Sequence, residues 1–180
     1  MKQLIDSATI VMMVRRATTD VLSTMLAIDA EPGEAYTEIL PPANTEGVVS
    51  FVGVTGAEWA GTGCLRCGSG SACQLAGRFL MTEFHHVNDE VLDAFAELTN
   101  MIIGNMKNDL ELLLGPTGLS IPTVIYGKNF STRSLRREEW IIVPFRCGDD
   151  LLEVRVCLQE RQSKFSVTRY GKKQEFILGR

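Results

Sequence analysis

The stretch NDEVLDAFAELTNMIIGNMKNDLELLL, Asn88 to Leu114, decides how this chain is read. With about 100° per residue, Phe95, Leu98, Ile102, Met106 and Leu113 gather on one side of a helix. Asp93, Glu97, Asn100, Gly104, Lys107 and Glu111 share an arc of about 80° on the other. The pattern predicts one long amphipathic helix, with one face buried and the other presented outward. An ordinary solvated face would be filled with Glu, Lys and Gln. Here its centre holds Asn100 and Gly104, although a mid-helix glycine costs about 1 kcal/mol relative to alanine. A carboxylate and an amide one turn apart, beside a bare patch of backbone, point to a docking surface. Asn105 and Asn108 are read as capping or solvating the helix instead.

Outward from this helix the chain alternates helices and hairpins. Lys2 to about Ala27 predicts a first amphipathic helix, with Ile5, Val11, Met12, Val21, Leu22 and Leu26 among its apolar positions. A loop with Pro32-Gly33 and Pro41-Pro42 follows. GVVSFVGVTG (47–56) and EWAGTGCLRCG (58–68) read as two strands around a Thr55-Gly56 turn. Ser69 or Ser71 is placed to cap a short helix, and Asn88 or Asp89 to cap the long one, which Gly115-Pro116 stops. Three more β-like runs follow, at 119–127, 139–148 and 151–160, with Asp149-Asp150 as a hairpin turn and SLRREEW (134–140) as a charged connector. Each half thus repeats helix, loop and hairpin. The expected fold is an α/β sandwich, long helices packed on an antiparallel sheet in two pseudo-repeated halves. The domain is taken as 1–162. The remainder, 163–180, holds five Lys or Arg against one Glu and reads as a mobile tail, an extra edge strand or an expression remnant.

Composition narrows the function. A chain of 180 residues suits one domain. Its net charge of -4 argues against duplex nucleic acid as the main partner. No apolar run approaches the roughly 20 residues that span a bilayer. The N-terminal stretch has Asp6 early, Arg15-Arg16 late and no small-residue cleavage site, so a cytoplasmic protein without a membrane partner is expected. The five cysteines, Cys64, Cys67, Cys73, Cys147 and Cys157, are odd in number and fit reduced, buried thiols. Cys64, Cys67, Cys73 and His85 are zinc ligands by type. However, the Cys67 to Cys73 interval is not a knuckle spacing, and Gly68-Ser69-Gly70 reads as a turn, so packing or a redox-sensitive pair is preferred. His85-His86 read as a surface turn, Trp59 and Trp140 as core or interface aromatics, and Lys128-Asn129 as a loop.

Asp93-x3-Glu97-x2-Asn100, with Pro122 in IPTVIYG 22 positions after Asn100, resembles the signature of the CheC/CheX/FliY phosphatases of bacterial chemotaxis. The order around it is similar to the CheX branch: the GVVSFVGVTG hairpin, a short helix, the long helix, then a proline-containing strand ending in glycine before a charged segment. The resemblance covers roughly residues 1 to 160. The first helix, RATTDVLST at 16–24, lacks Glu-x-x-Asn, which fits a single-site protein.

The resemblance implies hydrolysis of the aspartyl phosphate on a CheY-like response regulator, in chemotaxis or two-component signalling. Asn100 would hold the attacking water in line, Glu97 would pair with the receiver's lysine, and Asp93, Gly104 and Lys107 would contribute docking surface. These residue types suit the chemistry, since phosphoryl transfer rests on positioning and electrostatics. An amide binds water without adding negative charge near the phosphate. The Mg2+ would belong to the receiver, so no cofactor of the chain's own is expected. The resemblance also implies a homodimer joined through sheet edges, for which strands between Trp140 and Glu160 are the expected contributors. A catalytically weak module that only docks a receiver, or another signalling partner, is the competing reading. A third is a redox or metal-sensing adaptor using Cys64, Cys67 and Cys73.

Overall fold

The computed structural model describes residues 5–39, 45–131, 139–161, 165–169 and 172–176. Helix α1 is Ser7–Leu26, followed by short strands β1 (Glu31–Pro32) and β2 (Tyr36–Glu38). Then come β3 (Thr45–Thr55), β4 (Trp59–Cys67), α2 (Ser69–Leu80) and α3 (Asp89–Leu114). The second half holds β5 (Gly118–Leu119), β6 (Thr123–Phe130), β7 (Trp140–Cys147) and β8 (Asp150–Glu160), and the tail holds β9 (Phe165–Arg169) and β10 (Lys172–Phe176).

The long helix forms where its periodicity places it. The Asn88 side chain accepts from the Val91 N–H at 3.0 Å, and Gly115 ends the helix at a φ of 81°, a left-handed conformation that favours glycine. Its burial runs from Val91 to Leu110. Leu113, expected on the buried side, is exposed together with Leu112, while Leu110 and Leu114 carry the contact with the core at this end. On α1 the first helical residue is Ser7, after an Asp6 cap that accepts from Thr9 N at 2.9 Å. Met12 points to water rather than to the core. Residues 2–4, expected to begin this helix, lie outside the described residues.

Strands β1 to β8 make one antiparallel sheet in the order β1-β7-β8-β4-β3-β5, with β2 also on β7 and β6 also on β3. The pairing crosses between the halves: β1 and β2 lie on a second-half strand, and β5 and β6 on a first-half strand. One face of the sheet packs with all three helices. Val48, Val52, Val54, Leu65, Ile141, Val143, Phe145, Leu152, Val154 and Val156 join α1, α2 and α3 in a single core. The alternating positions face the other way, as the two-residue period of a strand requires. There Arg66 Nη1 meets Glu153 Oε2 at 3.3 Å, and the mostly buried Arg155 pairs with Glu38.

Several sequence expectations change. The loop after α1 supplies β1 and β2, pairs too short to leave a periodic signal. The 119–127 run is not one strand but two, interrupted at Ser120–Pro122. Neither Ser69 nor Ser71 caps α2. Gly68 holds the cap position without a side-chain bond, and Ser71 Oγ bonds Asp150 Oδ1 at 2.6 Å instead. The hairpin turn between β7 and β8 uses Gly148 at a φ of 68°, and Asp150 already begins β8. Strands β7 and β8, expected to form a dimer edge, are interior: β7 lies between β8 and β1/β2, and β8 between β7 and β4. Of the charged connector expected at 134–140, residues 134–138 lie outside the described residues, and Trp140 already begins β7. In the tail, β9 and β10 pair with each other and, among the described residues, with no other strand.

Candidate functional site

Two contacts orient α3 on the sheet. Gly63 of β4 lies beneath Ile103, so the helix seats directly on β4. At its end, Glu111 Oε1 receives both Lys107 Nζ at 2.6 Å and the Thr117 N–H at 3.0 Å. This clamp folds the chain back sharply, and Leu119 then lies beside Gly104: a methyl group built on Gly104 would sit 3.8 Å from Leu119 Cδ1. The polar stripe is therefore the flank of α3 that overlooks the β5–β6 edge of the sheet. The remaining outer surface carries the exposed Asn105 and Asn108.

This flank brings the anticipated residues together. Asp93 and Glu97 are exposed, and Asn100, Gly104, Lys107 and Glu111 are half-buried. Residues three apart on a helix have Cβ atoms about 5–6 Å from one another, so one ligand can meet both Glu97 and Asn100. Among the described residues neither side chain enters a hydrogen bond or ion pair. Both are left available to an outside group. Lys107 differs, because its charge is already matched by Glu111, and that pairing holds the Glu111 carboxyl below its ordinary range. Glu111 itself latches the turn after the helix. The bare patch anticipated at Gly104 is bordered by Leu119.

Cys67 lies within electrostatic reach of Cys147 and Cys73, but no disulfide joins them. All five are free thiols, and among the described residues no group of three or more His, Cys, Asp or Glu is placed to hold a metal. Leu65 and Cys67 face the helices with the core, so Cys64, an odd number of residues away on the same strand, faces the opposite side. Burial pushes the Cys64 thiol up to about 12 and that of Cys147 up to about 11. His85 and His86 are exposed. Trp59 is core at 1% exposure, whereas Trp140 is half-buried at the start of β7.

Sequence reasoning did not find Ser120. Its N–H donates to Gly53 O at 2.9 Å, its Oγ accepts from Gly53 N at 2.9 Å, and the same Oγ donates to Ile121 O at 2.9 Å. The break between β5 and β6 is thus pinned to β3. The only sequence signal was Pro122 itself, which cannot donate to a ladder.

The profile of the family described as chemotaxis phosphatase CheX matches residues 48–146, a span that holds Glu97, Asn100 and Pro122. The chain belongs to that family. Solved structures agree. CheX from Desulfovibrio desulfuricans is 27% identical with a TM-score of 0.74, the match covering 84% of this chain and 99% of that one. CheX from Vibrio vulnificus is 24% identical with a TM-score of 0.74, covering 84% and 99%. A CheX–CheY–BeF3–Mg2+ complex from Borrelia burgdorferi is 25% identical with a TM-score of 0.71, covering 87% and 99%. No curated protein sequence matches the chain. Among the described residues, no helix is long and apolar enough to cross a membrane.

Proposed function

We propose that this protein hydrolyses the aspartyl phosphate of a CheY-like receiver. Asn100 positions the attacking water, and Glu97 engages the receiver's lysine. The observation that carries the reading is the presentation of Glu97 and Asn100, unpartnered and one turn apart, on an accessible flank of α3. In a chain of the CheX family, and with CheX held against CheY in the Borrelia burgdorferi complex, that pair meets what the chemistry demands. The receiver supplies the phosphoryl group, its Mg2+ and its lysine. This chain supplies an oriented water and one countercharge. The protein acts in the cytoplasm, where receivers are phosphorylated. It functions as a homodimer whose contact lies outside the interior strands β7 and β8.

The test is the decay of a phosphorylated CheY-like receiver, followed by radiolabel with and without the protein. Accelerated decay that is lost in Asn100→Ala supports the phosphatase. Tight binding of the receiver with unchanged decay would make the protein a docking module instead.

A further inference from the structure

Ile121 is 87% exposed. Single exposed apolar residues are common on any surface, so exposure alone decides nothing. What separates Ile121 is how it is held and where. The three hydrogen bonds of Ser120, two to Gly53 and one to the Ile121 carbonyl, fix the backbone immediately before it. Pro122 restricts the backbone immediately after it. This apolar side chain is thus offered to water from a stiff segment, with little ordering entropy left to lose on contact.

Its position follows from the return of the chain along α3. Thr117 is bonded to Glu111 and Leu119 lies beside Gly104, so β5 runs back toward the start of the helix. On β3, Leu119 pairs with Val54 and Thr123 with Phe51, so the four steps between them advance about 10 Å, and Ile121 stands about midway. Four residues of helix span about 6 Å. Counted from the Leu119–Gly104 contact, Ile121 is carried about level with Asn100, on the sheet edge that the stripe overlooks. Met81 is more exposed, at 93%, but it ends α2 and has no such relation to the stripe.

We infer that Ile121 is an apolar anchor for the phosphorylated receiver, seated on an apolar patch beside its phosphoaspartate while Asn100 and Glu97 address the phosphoryl group. The inference rests on the phosphatase reading above. It assigns recognition to the β5–β6 break, separately from the chemistry on the helix.

The experiment compares wild type, Ile121→Ser, Ile121→Leu and Asn100→Ala. It measures kcat and KM for receiver dephosphorylation, and affinity for a receiver carrying beryllofluoride in place of the phosphoryl group. Ile121→Ser should raise KM and weaken binding by about tenfold or more, the loss expected for one buried aliphatic side chain. Its kcat should stay within about twofold, its melting temperature should be unchanged, and Ile121→Leu should restore binding. Asn100→Ala should show the opposite split, losing kcat while keeping affinity. Unchanged KM and affinity in Ile121→Ser, with an active wild type, would overturn the anchor alone. A wild type that neither binds nor dephosphorylates receivers would remove the phosphatase reading and the anchor together.

Discussion

A methyl group built on Gly63 of β4 would come within 2.5 Å of Ile103 Cδ1 and 2.9 Å of its Cγ2. Ile103 is fully buried under the helix that carries Glu97 and Asn100. Both branches of its side chain are obstructed, so rotation of one tip cannot relieve the overlap. Gly63→Ala should therefore lift α3 from the sheet and destabilise the protein by about 1–3 kcal/mol, as overpacking of a core does. Gly104→Ala should do the reverse. Its added methyl meets only Leu119 Cδ1 at an ordinary 3.8 Å, and a mid-helix alanine is favoured by about 1 kcal/mol. Denaturant melts of the two variants check the opposite signs. Equal destabilisation would mean that helix–sheet spacing is not what Gly63 sets.

Substitutions at the proposed catalytic pair separate water positioning from docking. Asn100→Ala should remove most of the acceleration of receiver decay while leaving stability unchanged or slightly raised, because a half-exposed helix position prefers alanine. Asn100→Asp should be as damaging despite its similar shape, since it sets a negative charge against the phosphate. Glu97→Ala should raise KM and lower kcat together by removing the countercharge of the receiver lysine. Full activity in Asn100→Ala would rule out the water-positioning role.

The parts of this fold that were legible share one property: the signal was local and long. Helix α3 announced its length, a cap at Asn88 or Asp89 that the structure places on Asn88, and its stop at Gly115 within one continuous stretch, and β3 and β4 carried alternating residues around a glycine turn. Three features were hidden. Strands β1 and β2 total five residues, too few for a period, and exist only because β7 offers them an edge. Ser120 acts through Gly53, 67 residues away in sequence, so nothing nearby marks it. The clamp that ties Lys107 and Thr117 to Glu111 joins residues on either side of the Gly115-Pro116 stop, so the helical period does not mark it. At the site, the pairing of Glu97 with Asn100 was readable from spacing. Its orientation toward the β5–β6 edge was not, because a helical period gives the angle between residues and not the direction of the whole stripe.

The thiols should behave as packing groups. With the Cys64 thiol pushed up to about 12 by burial, almost none of it is thiolate near neutral pH, and its 2% exposure blocks reagents. Since the thiolate is the reactive form, Cys64 should resist alkylation at pH 8 in the native protein and label fully in denaturant. Mass spectrometry of iodoacetamide-treated peptides reads this directly. Rapid native labelling of Cys64 would contradict the packing shown here and reopen the redox-adaptor reading. Replacing Cys64 and Cys67 with Ala should leave turnover within a few-fold.

Acid should release the clamp at the end of α3. The Glu111 carboxyl lies below its ordinary value of 4.5 through its bond to Lys107 first and to the Thr117 N–H second. A carboxyl whose folded pKa is depressed binds protons more readily in the unfolded chain, so its stabilisation is present above the unfolded pKa. That stabilisation is lost as pH falls through the lower, folded value. Glu111→Gln keeps an oxygen that can accept from Thr117 but removes the charge facing Lys107. The melting temperature of wild type should therefore exceed that of Glu111→Gln at pH 6–7, with the gap closing below about pH 4. Added salt should shrink the same gap at neutral pH, because the pair is partly open to solvent, at 21% and 33% side-chain exposure. Equal melting temperatures of the two proteins at pH 6–7 would mean that the loop after α3 is held by the neutral hydrogen bond alone. In that case Lys107 would be free to serve the docking surface.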